Sequence, residues 1–360
     1  MIFRSRKRGN GARSESERGA ADDGDRASAI SAVAEQLPSL DELLKDVEST
    51  TRANREHRDL GTDRRIIRLR HLAGIQLIER APADPDFATP DTSALPNGPG
   101  PVEIGPAELT PEILRAAILR DGCLLVRGLV ERDEALRLAG DIDQAFEARA
   151  ALAAGESAPE GYYEEFEPDP SFHQLIKRDW IEAGGGVLAA DSPTVLIDTL
   201  DALDRVDFPS VVHGYLGERG AMSAQKTTLR KADPSVPGAW HQDGKFLGDV
   251  HALNLWLSLS RCGDEAPGLD IVPRRLNQLV ATGTDGTFFD DQVSDEIAQR
   301  AADGVGVARP IFEPGDALLF DELFLHKTGS EPEMPKPRYA LESWFFGPSA
   351  FPNEYSPIAI

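Results

Sequence analysis

Apolar and polar positions divide the chain into stretches of different rhythm. Residues 1–27 are polar, rich in Gly, Ser, Arg and Asp, and have no apolar period, so burial cannot offset the entropy of ordering them and a disordered tail is expected. From 28 to 81, apolar residues recur at helical spacing: Ile30, Val33 and Leu37, then Leu40, Leu43, Leu44 and Val47, then Ile66, Ile67, Leu69, Leu72 and Ile75. This predicts two or three amphipathic helices, a helical N-terminal extension. Residues 82–106 repeat Pro among Asp, Gly, Ser and Asn with almost no large apolar side chain, which predicts an extended linker and a domain boundary.

Beyond the linker, Thr110-Pro111-Glu112 opens a helix with a Thr N-cap and Pro in its first turn, and Asp121-Gly122 closes it ahead of a strand from Cys123 to Arg127. A helix over Arg132 to Ala151 and a further helical region reach about Leu216. The pattern then changes to short strands between Gly, Pro and Asp turns, at 221–231, 239–243, 250–260, 268–273, 316–320 and 338–347. Helices followed by a strand-rich half predict an α+β domain over 107–350 whose β part is a sandwich or closed jelly roll. Residues 351–360 read as a C-terminal tail, and no internal repeat is found.

Composition narrows the function. With 360 residues, 41% hydrophobic and 28% charged, the chain is globular in type. A net charge of −23 argues against nucleic acid as the main partner. Cys123 and Cys262 are the only cysteines, too few for a disulfide framework, so metal chemistry must use His and carboxylate. No apolar run reaches the ~18 residues of a membrane span, and the residues after Arg4, Arg6, Lys7 and Arg8 lack the apolar stretch of a signal peptide. A cytoplasmic protein is the expectation. Seven arginines between Arg52 and Arg70 read as a solvated helix face, with docking of an acidic partner as the alternative. A protein partner or self-association through the N-terminal helices stays open.

Candidate chemistry lies in the strand-rich half. Ala239-Trp240-His241-Gln242-Asp243-Gly244 places a His and an Asp at i and i+2, which on a strand share one face while Gln242 points away. A second His, His326, follows the strand Asp316 to Phe320. Two imidazoles and one carboxylate on β scaffolding make the facial triad of non-haem Fe(II) oxygenases, which leaves coordination positions open for O2 and a co-substrate. A structural zinc site would have filled them. Arg338, twelve residues after His326, opens the last strand, and its planar fork suits the distal carboxylate of a dicarboxylic co-substrate.

These pieces together resemble the phytanoyl-CoA dioxygenase family of iron(II)- and 2-oxoglutarate-dependent oxygenases, over roughly residues 107 to 350. Asp121-Gly122-Cys123-Leu124-Leu125-Val126-Arg127-Gly128-Leu129-Val130 is similar to the family's opening strand, and Tyr215-Leu216-Gly217-Glu218 to the turn before its core. Trp240-His241-Gln242-Asp243-Gly244 matches the metal motif, and Gly315-Asp316-Ala317-Leu318-Leu319-Phe320 resembles the strand leading to the distal ligand. The resemblance implies a double-stranded β-helix (jelly-roll, cupin-like) core with flanking helices. It implies Fe(II) on His241, Asp243 and His326, Arg338 on 2-oxoglutarate, and hydroxylation of a small-molecule or lipid-like substrate with release of succinate and CO2. Halogenating relatives lack the carboxylate, whereas Asp243 is present.

Trp256 resembles a wall residue of the co-substrate pocket, in a strand where Leu253, Leu255, Leu257 and Leu259 alternate with a mixed face. In the strand Met222 to Lys231, alignment to the family turns Gln225 and Thr227 inward, and a slip of one residue would present Lys226 and Thr228 instead. Arg274 and Arg275 stand where the family commonly has a Gly-Ser-His turn and read as a solvated turn, or as a contact for an anionic substrate group. His57, His71, His173, His213 and His251 have no comparable partner spacing. The competing functions are a cupin-like binding or assembly module without catalysis, and a metal enzyme that does not use 2-oxoglutarate.

Overall fold

Two capped helices lead the described chain. The computed structural model describes residues 34–96, 100–170, 176–248, 250–284, 287 and 292–360, so the tail expected to be disordered lies outside the described residues. Helix α1 (Leu40–Glu56) starts at Ser39, whose hydroxyl accepts from the Glu42 amide while Glu42 reaches back to the Ser39 amide. Helix α2 (Leu60–Glu79) starts at Asp59, which accepts from the Thr62 amide. Neither is long and apolar enough to cross a membrane, and the same holds for every other described helix.

The body continues through β1 (Val102–Ile104), α3 (Pro111–Asp121), β2 (Cys123–Val126), α4 (Arg132–Ala153), α5 (Asp179–Ala183), β3 (Gly186–Leu188), α6 (Pro193–Arg205) and α7 (Phe208–Leu216). Helix α3 has the predicted Thr110 cap and ends at Gly122, whose φ of 81° is the left-handed conformation that stops a helix cheaply only with glycine. The strand-rich half follows: β4 (Ala221–Ala232), α8 (Gly244–Leu247), β5 (Ala252–Ser258), β6 (Gly268–Ile271), α9 (Asp295–Ala301), β7 (Ala317–Phe320), β8 (His326–Gly329), β9 (Arg338–Phe346) and β10 (Pro357–Ala359).

The strands form a large sheet in the order β1-β2-β7-β5-β9-β4-β10, with β3 also on β4, and a small sheet of β6 and β8. All pairs in them are antiparallel except β1 with β2. Bridges His241↔His326 and Ile271↔Ala308 widen the small sheet. From β4 onward the chain passes between the sheets: β4 in the large, His241 in the small, β5 in the large, β6 and Ala308 in the small, then β7 large, β8 small and β9 large. That alternation is the winding of a double-stranded β-helix, in an α+β protein.

The alternation read in β5 sorts the core. Leu253, Leu255 and Leu257 pack outward with Leu341 and Phe345 of β9 against Leu138, Ile142, Leu196, Leu200 and Val212 of the helices. Ala252 and Trp256 point inward with Phe320, Trp344 and Phe346, toward Leu269 and Ile271 of the small sheet.

Three observations bear on the expected boundaries. Val102–Ile104, inside the expected linker, is a strand in parallel pairing with β2. The expected tail 351–360 contains β10, which pairs with β4. Both strands have three residues, too few to show a period, and Pro357 opens an edge strand, where its missing N–H is tolerated. The N-terminal helices, finally, are not a separate unit: Ile66 and Ile67 belong to the main core. Arg70 donates to the Ala359 carbonyl at 2.9 Å, and His71 Nδ1 meets the Pro357 carbonyl at 2.8 Å. Helix α2 thus covers the free edge of the large sheet, which would otherwise present unpaired carbonyls.

Candidate metal centre

His241 and His326 face each other across an antiparallel bridge. The His241 amide donates to the His326 carbonyl at 3.0 Å, the His326 amide returns the bond at 3.1 Å, and the ring centroids stand 4.4 Å apart. Each Nδ1 lies by the carbonyl two residues back, His241 by Ala239 at 2.9 Å and His326 by Phe324 at 3.2 Å. Those contacts place the proton on Nδ1 and leave the Nε2 lone pair free, the usual second support of a metal-binding imidazole. The two Nε2 atoms lie 4.0 and 3.8 Å from Asp243 Oδ2. Ligand atoms of all three side chains fall within 4.8 Å of one another. Burial beside His241 pushes the His326 pKa down to about 4, so the ring is neutral, the form that ligates.

The route to this convergence differs from the one expected. The strand predicted over 239–243 is reduced to bridges at Trp240 and His241, and Asp243 has helical backbone angles of −63° and −26° as the chain turns into α8. A turn, rather than strand alternation, brings the carboxylate round. Gln242 holds that turn. Buried, it donates to the Leu323 carbonyl at 2.6 Å and accepts from the Val280 amide at 2.7 Å, tying the turn to the loop that leads to His326. Nothing in the local pattern announces this role beyond a polar residue between two candidate ligands.

The triad opens onto a cavity of about 420 Å³ between the two sheets, lined also by Asn254, Trp256, Phe320, Arg338 and Glu342. Arg338 is 2% exposed, donates to the Gly268 carbonyl at 3.2 Å and lies 5.3 Å over the Trp256 ring. Glu342 stands 3.9 Å from it and pairs with Arg230 at 2.9 Å. Arg338 Nε, Asn254 Oδ1 and Trp256 Nε1 are buried without a hydrogen-bond partner among the described residues. Buried polar atoms are normally satisfied, so these three mark a place shaped for a polar ligand. Two guanidinium groups against one Glu342 carboxylate leave a cationic excess at this end, and two imidazoles with one carboxylate form the other. That donor set fits Fe(II) with an anionic co-substrate.

Gln225 and Thr227 do not line the cavity. Thr227 donates to the Ser223 carbonyl at 2.8 Å and lies 3.0 Å from Ser343 Oγ, while Gln225 bonds Ser356 through both ends of its amide. The β4–β9 register breaks between Met222 and Thr227, and the extra residues reverse the parity. Past the break Thr228 lies opposite Glu342, and Arg230 faces the cavity. The half-buried Lys226 amine comes under the fields of Asp243 and Glu342. Neither Lys226 nor Thr228, the residues a one-residue slip would present, lines the cavity either. Asn254 stands on the mixed face of β5 with Trp256, as the alternation indicated, whereas Glu342 went unnoticed although it keeps the parity of Arg338. Arg275 pairs with Asp321, Arg274 donates to the Asp303 carbonyl at 3.1 Å, and neither lines the cavity. His173 lies outside the described residues.

No protein-family model matches the chain, and no curated protein matches it. Solved structures do. EctD from S. alaskensis, with 2-oxoglutarate and 5-hydroxyectoine, is 18% identical over 74% of this chain and 82% of its own, with a TM-score of 0.48. The epimerase SnoN, in complex with Fe3+, alpha ketoglutarate and nogalamycin RO, is 18% identical over 66% of this chain and 83% of its own, with a TM-score of 0.40. AviO1 from Streptomyces viridochromogenes Tue57 is 16% identical over 68% of this chain and 98% of its own, with a TM-score of 0.41.

Proposed function

We propose that the chain is an Fe(II)- and 2-oxoglutarate-dependent dioxygenase of the phytanoyl-CoA dioxygenase kind. It hydroxylates an unactivated C–H bond of a small-molecule or lipid-like substrate, with succinate and CO2 as the other products. One observation carries this reading: His241, Asp243 and His326 meet within 4.8 Å at a cavity that also holds the buried, incompletely bonded Arg338.

The chain's part is to bind, orient and shield. His241 and His326 offer Nε2 while their Nδ1 protons are held by carbonyls, and Asp243 completes three ligands on one side. Arg338 offers its fork to the distal carboxylate of 2-oxoglutarate, and Trp256 offers its unpaired indole N–H to the same molecule. Trp256, Phe320 and Trp344 keep water from the cavity wall. Iron with 2-oxoglutarate, when bound, supplies oxygen activation and C–H oxidation. The Asp243 carboxylate supports hydroxylation over halogenation.

Anaerobic titration with Fe(II) and then 2-oxoglutarate tests the reading. A weak visible charge-transfer band is expected with the wild-type protein and its absence with Asp243→Ala. No band with the intact protein would favour a binding module. Metal-dependent turnover indifferent to 2-oxoglutarate would favour the other metal enzyme. Succinate release screened over a metabolite library then identifies the substrate.

A further inference from the structure

We propose that the cleft enclosed by α1, α7 and β10 is a second binding site, for the phosphate group of a small metabolite. The cleft measures about 820 Å³ and shares no lining residue with the cavity of the metal centre.

Its floor holds Arg70, which is 7% exposed. One guanidinium nitrogen is used on the Ala359 carbonyl, and Nε is buried with no partner among the described residues. The nearest carboxylate, Asp204, is 3.8 Å away and is already engaged by Arg55 at 2.8 Å. Burial of a cation without a close counter-charge is costly, and an arriving anion removes that cost. Arg219, just past α7, is exposed at the mouth of the cleft, and no ion pair is seen for it among the described residues. Desolvation draws its pKa below the ordinary range, opposed by Asp41 alone. From the opposite wall α1 contributes Lys45 and Thr51, and Thr51 Oγ1 is likewise buried and unpartnered.

Donors from three directions, two of them planar forks, suit a tetrahedral dianion better than a carboxylate, which satisfies a single fork. The cleft is lined by five cations, Lys45, Arg52, Arg55, Arg70 and Arg219, against three carboxylates, Asp41, Glu48 and Asp204, an excess of positive charge in a chain of net charge −23. Because Thr51 and Lys45 stand on α1 while Arg70 and Arg219 stand on the elements beneath it, bound phosphate joins α1 to the rest of the molecule. The ligand therefore raises the stability of the fold.

The probe is inorganic phosphate, titrated calorimetrically into the full chain against potassium chloride at matched ionic strength, with thermal unfolding in parallel. One saturable site and a rise in Tm are expected. Arg219→Ala should weaken binding by about tenfold or more, the loss of a charge-assisted hydrogen bond, and Arg219→Lys should recover part of it. Thr51→Val, nearly isosteric, gives an independent weakening if Arg219→Ala folds poorly. Arg338→Lys, in the other cavity, should bind phosphate as wild type does. A response no different from chloride, wild-type binding in both Arg219→Ala and Thr51→Val, or loss of binding only in Arg338→Lys overturns the proposal.

Discussion

At the scale of single residues, the metal centre separates what a motif reveals from what only packing decides. The convergence of His241, Asp243 and His326 was legible because few residue types ligate metals and the three stand in or beside strand signals. The inward face of β4 was not, because a bulge reverses parity within the strand and no local pattern announces it. Two substitutions test this division. Arg338→Ala should raise the apparent KM for 2-oxoglutarate by about 100-fold, with kcat much less affected, since ionic hydrogen bonds contribute about 1.5–3 kcal/mol and 1.4 kcal/mol is tenfold. Gln225→Ala should leave that KM unchanged and lower Tm, because its amide serves the Ser356 backbone rather than the cavity. Steady-state kinetics with succinate detection reads both.

Among elements, the contact of α2 with β10 is the feature that periodicity could not foretell. It shows that Ile66 and Ile67 face something apolar, but not that a three-residue strand from the far end of the chain lies alongside. The approach is close enough that a Cβ on Gly74 would meet Pro357 Cβ at 2.8 Å and its carbonyl carbon at 2.9 Å. Gly74→Ala gains about 1 kcal/mol of helix propensity, yet overpacking typically costs about 1–3 kcal/mol. A lower urea midpoint is therefore expected. His71, three residues before Gly74, accepts the Asp169 amide on Nε2 at 2.9 Å and lies by the Pro357 carbonyl through Nδ1. Burial holds its pKa down at about 4, from 6.5. The unfolded chain then binds the extra proton first, so this stabilising contribution is complete above pH 6.5 and is lost as pH falls toward 4. Its size is on the order of 3 kcal/mol. In His71→Gln, urea midpoints at pH 7.5 and 5 should differ less than in the wild type.

For the whole molecule, strand spacing and turn residues were enough to indicate an α+β domain with a sandwich or closed jelly roll, because each short strand carries its own punctuation, and the family resemblance chose the double-stranded β-helix. Domain boundaries were harder to read, since a Pro-rich stretch looks the same whether it joins two bodies or wraps one. Removal of residues 1–81 should accordingly cost more than an appendage: loss of a cooperative unfolding transition and binding of a hydrophobic dye, with the triad sequence intact. The pairing of His71 with Pro357 spans 286 residues, and that of Arg70 with Ala359 spans 289. Ring closure over such a length is entropically slow, and topologies rich in distant contacts fold late. During that delay the β10 margin lies bare and invites neighbouring molecules, so recovery from denaturant should decline as protein concentration rises, and a circular permutant linking the two partners directly should recover better.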